Sequence, residues 1–135
     1  MAHEISEKFI EALDELEKTE STEKMVALFA ENCEIGNVTL TNNLQGTDGA
    51  KEFWTNYRKT FGEIESNFKN KIYSENTVAL EWTSCGTRAD GGEINYDGVS
   101  IMETDGEKIT RFYAYFNPSE LGHQIVDEKS KSKEA

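Results

Sequence analysis

A chain of 135 residues, 36% hydrophobic and 10% aromatic with a single proline, can bury a real core and is too apolar to be disordered or fibrous. Its formal charge of −12 repels nucleic acid and anionic lipid, which are held through clustered Lys and Arg. No apolar run approaches membrane-spanning length.

Cys33 and Cys85 are too few for a disulfide framework, and with two histidines they leave no zinc set, so both are expected as reduced thiols. Met1-Ala2-His3-Glu4 opens straight into an acidic amphipathic segment, without the basic start and apolar stretch of a secretory leader, and a cytoplasmic location is the expectation. Gly46-Thr47-Asp48-Gly49 is too short for a phosphate loop and carries an acid where phosphate would sit. No metal or cofactor is expected.

Residues 4 to 18 place Ile5, Phe9, Ala12, Leu13 and Leu16 at helical spacing, with Glu and Lys on the opposite side. The ten acidic side chains of residues 1 to 34, against three lysines, read as solvated helix faces. Ser21 or Thr22 can cap a second helix with Met25, Val26, Leu28 and Phe29 as its buried stripe. A short strand is expected over Cys33 to Thr41, then a polar loop. Thr47 caps a third helix, along which Ala50, Phe53, Trp54, Tyr57 and Phe61 share one face, and Gly62 ends it in the left-handed conformation.

A strand from about Glu63 to Tyr73 follows, and its partner begins near Thr77. The connecting turn holds two residues or three, a choice that flips every side chain across the sheet. Three pairs Ile72 with Val78 and Phe68 with Trp82; two sets Lys71 on Leu80; apolar pairing favours three. Asp90-Gly91 and Asp105-Gly106 read as two-residue hairpin turns. Counting from them pairs Ser84 with Asp97, Trp82 with Val99 and Leu80 with Ile101, then Asp97 with Ala114, Val99 with Phe112 and Ile101 with Thr110. One face thus carries Leu80, Trp82, Val99, Ile101, Phe112 and Phe116, with Ser84, Asp97 and Ala114 in a row. The other carries Thr83, Cys85, Tyr96, Met102, Tyr113 and Tyr115, too apolar for a wetted surface, which suggests a homodimer packed through the sheets unless the C-terminal segment covers it. Ser119 to Val126 can form a last short helix, and 127–135 is a charged, frayed tail after a single domain over 1–126.

This order of helix, helix, short strand, helix and four-stranded meander resembles the nuclear transport factor 2-like superfamily, in its SnoaL-like, polyketide cyclase-like branch, over residues 4 to 122. The residues that carry the resemblance are Leu28-Phe29-Ala30-Glu31-Asn32-Cys33, Gly46 with the helix into Phe53-Trp54, Asp105-Gly106-Glu107-Lys108-Ile109, and Arg111 to Pro118. It implies an α+β, cone-shaped, cystatin-like fold: three N-terminal helices on a bent antiparallel sheet, with an apolar pocket open at one end. The family spans cyclases, isomerases, epoxide hydrolases, dehydratases and non-catalytic binding modules, so fold leaves function open. Departures from its patterns matter. Where the last strand often carries an acid, this chain has Ala114, with Asn117 for a second Asp; where epoxide hydrolases need Arg and Asp, it has Trp82 and Ser84; and the isomerases' Asp falls near Asn37.

The register adds a candidate of its own. Asp97 beside Ala114 would place a carboxylate in nearly the missing acid's position, desolvated by Val99, Trp82 and Phe112, with Ser84 in hydrogen-bond reach and Tyr57 reaching in from the helix. Against this, Asp97-Gly98 fits a strand bulge whose carboxylate simply bonds nearby backbone. His3 and His123 sit near the termini, where surface roles are expected. The reading is therefore a pocket for a small apolar or aromatic metabolite, lined by Trp54, Tyr57, Trp82, Val99, Phe112 and Phe116. Cofactor-independent isomerase, cyclase or dehydratase chemistry would use Asp97 and Ser84. The competing reading is a non-catalytic binding or protein-interaction module that has lost the acid at Ala114.

Overall fold

The computed structural model describes residues 2–121; the expected tail and His123 lie outside them. Helix α1 (Ala2–Thr19) buries the five apolar residues expected, and it stops where Glu20 turns left-handed at φ 67°. Helix α2 (Glu23–Val26) is a single turn without a side-chain cap from Thr22, and Met25 is its buried residue. The expected stripe fails because Phe29 already opens strand β1 (Phe29–Asn37), where Ile109 N–H donates to the Leu28 carbonyl at 2.8 Å. A two-residue β2 (Leu44–Gln45) leads into helix α3 (Gly46–Lys59), which buries Ala50, Phe53 and Trp54.

Helix α3 ends at Thr60, ahead of the expected Gly62 cap. Gly62 lies within β3 (Phe61–Tyr73), where a Cβ would stand 2.7 Å from Thr87 Oγ1. Strands β4 (Thr77–Arg88), β5 (Glu93–Thr104) and β6 (Ile109–Phe116) complete the meander, and α4 (Pro118–Leu121) follows. The sheet runs β2-β1-β6-β5-β4-β3. It is mixed rather than purely antiparallel, because β1 pairs parallel with β6.

The β3–β4 hairpin uses both registers that the sequence left open. Near the turn, Lys71 faces Leu80 and Tyr73 faces Val78; past an irregularity between Phe68 and Asn70, Phe68 faces Trp82 as the longer turn required. The expected Ile72–Val78 pair does not form, and Ile72 faces outward at 60% exposure. The bulge resolves the conflict by absorbing one residue, which also bends the strand.

The two Asp-Gly turns set registers that differ from the expected ones. Arg88 and Gly92 close a three-residue loop with Gly91 at φ 95°, so Ser84 faces Tyr96 and Thr83 faces Asp97. At the second turn the Asp105 carboxylate accepts from the N–H groups of Glu107 (2.9 Å) and Lys108 (2.8 Å), making Asp105 the first residue of the turn instead of a central one. A further irregularity follows Glu103, and Ala114 faces Ser100, three residues from its expected partner Asp97. Both shifts are odd numbers. Each reverses β5 relative to its neighbours while β4 and β6 keep their expected faces.

Inside the curve, α1 lies along β3 and β4 and α3 along β1, and Phe9, Leu16, Ile35, Ala50, Met102 and Phe112 join one core between the helices and the sheet. A second cluster, Phe61, Ile64, Trp82, Ile94 and Tyr96, sits toward the other end of the sheet, and Tyr57, Phe68 and Phe116 touch both.

Candidate functional site

A cavity of about 230 Å³ opens between the two clusters. Its walls include Trp54 and Tyr57 from α3, Trp82 and Ser84 from β4, and Phe112, Ala114 and Phe116 from β6. Each was expected on this face, because β4 and β6 kept their parity. Aromatic contacts hold the walls: Trp54 and Tyr57 meet edge to face with centroids 5.4 Å apart, and Trp82 lies 5.1 Å from Tyr96. The Trp82 indole N–H donates to Ser100 Oγ at 2.9 Å. The Trp54 indole nitrogen is buried without a partner among the described residues.

Asp97 and Val99 are elsewhere. With β5 reversed, Asp97 stands on the outer face with its side chain 64% exposed, accepting from Thr83 Oγ1 at 2.7 Å and lying 3.7 Å from Lys69 Nζ. It does not line the cavity, and neither does Val99; Tyr96 and Ser100 hold the inward positions on β5.

The carboxylate at the site is one that the sequence reading assigned to a solvated face. Glu17, near the end of α1, is 5% exposed. Its Oε1 accepts from Ser66 N–H at 3.1 Å, and its Oε2 accepts from Tyr57 Oη at 2.7 Å and Ser66 Oγ at 2.6 Å. Ser66 Oγ lies 2.6 Å from Ser84 Oγ, and Ser84 faces Tyr96 across the β4–β5 pair. Glu17 itself stands behind the wall, whereas Tyr57, Ser66, Ser84 and Tyr96 line the cavity. A signal was present in the sequence: Phe9, Leu13 and Glu17 are spaced i, i+4, i+8, so the acid continues the buried stripe.

Burial pushes the Glu17 carboxyl above the usual carboxylate range, against the opposing pull of its Ser66 and Tyr57 hydrogen bonds. Burial likewise raises the Tyr57 and Tyr96 phenols, with the nearby negative charge of Glu17 adding to both. Arg58 fixes the end of this assembly through backbone carbonyls, donating to Glu17 O at 3.2 Å and Phe61 O at 3.0 Å.

Of the positions singled out by departure from family patterns, Trp82 and Ser84 stand on the cavity wall, and the other three are structural or small. Ala114 lines the cavity with a methyl group. Asn37 also lines it, but its Oδ1 accepts from Thr39 N–H (2.9 Å) and Thr39 Oγ1 (2.7 Å). Asn117 Oδ1 accepts from Ser119 N–H at 3.0 Å. Cys33 is buried with its thiol pushed up by desolvation, and donates to Gly46 O at 3.3 Å. Among the described residues no group of three or more His, Cys, Asp and Glu could hold a metal ion, and no helix is long and apolar enough to cross a membrane.

Solved structures share this architecture. An NTF2-like protein from Anabaena variabilis is 19% identical, with a TM-score of 0.79 over 86% of this chain and 89% of that one. An NTF2-like protein of unknown function from Exiguobacterium is 20% identical, with a TM-score of 0.70 over 84% and 98%. An LEH-like epoxide hydrolase from M. tuberculosis is 18% identical, with a TM-score of 0.68 over 93% and 90%. No curated protein matches the chain. At such identities the likeness is one of fold, the α+β NTF2-like cone. The SnoaL-like domain model matches residues 7–112, most of the chain, and the chain belongs to the SnoaL-like family.

Proposed function

We propose that the chain binds one compact apolar or aromatic molecule in this cavity. The observation that carries the reading is a hollow of about 230 Å³ that Trp54, Tyr57, Trp82, Phe112 and Phe116 surround without filling. Interiors pack closely, and an unfilled void costs stability, so a retained aromatic hollow with a few polar groups fits a ligand site better than a core. Naphthalene tests it. Its addition should shift the emission of Trp54 and Trp82 and raise Tm, and Ala114→Phe, which fills the hollow from β6, should abolish both effects while staying folded. A wild type unresponsive to naphthalene-sized probes overturns the reading and favours a protein-interaction module.

A second reading, cofactor-independent proton transfer as in isomerisation, cyclisation or dehydration, is favoured by Glu17, one hydroxyl away from the cavity through Ser66. With Asp97 outside, Glu17 takes the role of acid or base. A carbon acid in the cavity would lose its proton to Ser66 Oγ as the Ser66 proton passes to Glu17. Solvent deuterium entering bound 2-tetralone, and failing to enter it in Glu17→Gln, is the expected result; binding without exchange in the wild type leaves a binding protein.

We also infer that two copies associate through the outer sheet face, where Val99, Ile101, Tyr113 and Tyr115 lie together and Tyr115 is 48% exposed. Sedimentation should give a dimer at micromolar concentration and a monomer for Tyr115→Glu. A monomeric wild type overturns this inference.

A further inference from the structure

The hydroxyl chain behind the cavity wall has a direction, and the direction selects a ligand. Above its raised pKa the Glu17 carboxylate is ionised and only accepts. Glu17 takes the hydroxyl protons of both Tyr57 and Ser66, together with the Ser66 N–H. Ser66 Oγ has then spent its one proton, so the 2.6 Å contact with Ser84 is made by the Ser84 proton, and Ser84 donates to Ser66. Ser66 and Tyr57 thus point their protons at the carboxylate and Ser84 points its proton at Ser66, each keeping lone pairs for other partners, while the Tyr96 phenol stands on the same wall beside Ser84 with a proton of its own. Ser66, Ser84 and Tyr57 all line the cavity. Beyond Trp82 the polarity differs: Ser100 Oγ accepts from the indole, and its own proton has no acceptor among the described residues.

From this geometry we propose that the Glu17–Ser66–Ser84 chain, with Tyr57, makes one end of the cavity a hydrogen-bond acceptor that selects aromatic ligands carrying a neutral hydroxyl donor, such as phenols and enols. Anions are repelled at that end by Glu17. A carbonyl or ether presents lone pairs to the lone pairs of Tyr57, Ser66 and Ser84 and leaves those oxygens unsatisfied. The proposal rests on the cavity being a small-molecule site and adds the chemical class of its occupant.

The test compares naphthalene, 2-naphthol and 2-methoxynaphthalene by isothermal titration with the wild type, Ser66→Ala and Glu17→Gln. One hydrogen bond to a charge-linked acceptor is expected to give 2-naphthol roughly a tenfold advantage over both other probes in the wild type. Either substitution frees a wall proton to point into the cavity, so the ratio of 2-naphthol to naphthalene affinity should fall to near unity. If one variant fails to fold, the other carries the comparison. Equal affinity of the three probes for the wild type overturns the donor selection and leaves the pocket standing. So does an advantage that survives in a folded variant. No binding of any probe overturns both readings.

Discussion

Two carboxylates of this chain make the same kind of bond in opposite surroundings. Asp97 accepts from Thr83 Oγ1 at 2.7 Å on the outer face of the sheet, and Glu17 accepts from Ser66 Oγ at 2.6 Å behind the inner one. Water competes for every lone pair of Asp97, whose side chain is 64% exposed, and the added proximity of Lys69 is worth little in high dielectric. Glu17 has traded water for three protein donors, so each donor carries weight, and removing one member leaves others buried without partners. Burial rather than the bond decides which carboxylate matters.

The comparison breaks most sharply at Glu17→Ala. The substitution strands the Tyr57 hydroxyl and the Ser66 N–H and empties the space at the junction of α1, α3 and β3. A loss of about 2–4 kcal/mol is expected from urea unfolding. Glu17→Gln should cost less, since it keeps the volume and one acceptor. Equal stability of Glu17→Ala and wild type would show that water replaces the carboxylate, and the hydroxyl chain would lose its organising charge.

Gly98→Ala tests the wall from the other side. A Cβ there would stand 2.5 Å from the Trp82 ring and 2.7 Å from the Tyr115 carbonyl, so Trp82 must move. Overpacking of this kind costs about 1–3 kcal/mol, and because Trp82 lines the cavity, naphthalene affinity should fall with it. Stability lost without any change in affinity would separate Trp82 from the ligand site.

A titration reads the buried carboxylate directly. The folded-state value of Glu17 is raised by burial, with Asp14 on the same helix adding to it and Ser66 and Tyr57 opposing; Tyr96 on β5 and Arg58, engaged with backbone, also face this region. The folded protein therefore holds the Glu17 proton to higher pH than the unfolded chain does. This contribution is full below the ordinary glutamate range and is lost as pH rises through the raised value. Unfolding free energy of wild type minus Glu17→Gln, measured from pH 4 to 8, should decline with pH. A flat difference would mean that the hydrogen bonds cancel the desolvation.

Most of the fold was legible because it rests on periodicity. The α1 stripe, the α3 stripe as far as Tyr57, the inward faces of β4 and β6, and five of the aromatic wall residues follow from spacing alone, whereas Phe61, expected on α3, opens β3. The register of β5 did not, because an Asp-Gly pair marks a turn without saying which position it takes. Asp105 heads its turn and Gly91 closes a three-residue loop, each a side-chain or backbone choice that the pair does not disclose. Two odd shifts agreed with each other, so the mutual consistency of the two counts was no check on parity. Glu17 was hidden by a different habit: acids on an acidic helix read as solvated, and the spacing that joins it to Phe9 and Leu13 was outweighed by charge.

The smallest expected effect is at Asp97→Asn. The amide keeps an oxygen to accept from Thr83 and loses the ion pair with Lys69, both on an exposed face, so the change in stability should stay below about 0.5 kcal/mol. Naphthalene affinity should be untouched, since the side chain has no place on the cavity wall. The variant also reports on the outer face as a whole. Val99 and Tyr115 lie beside it in the same sheet surface, so an effect above about 1 kcal/mol that grows with protein concentration would show Asp97 desolvated against a second copy. In that case the contrast with Glu17 would hold for the isolated chain and vanish in the dimer, and both carboxylates would be buried ones.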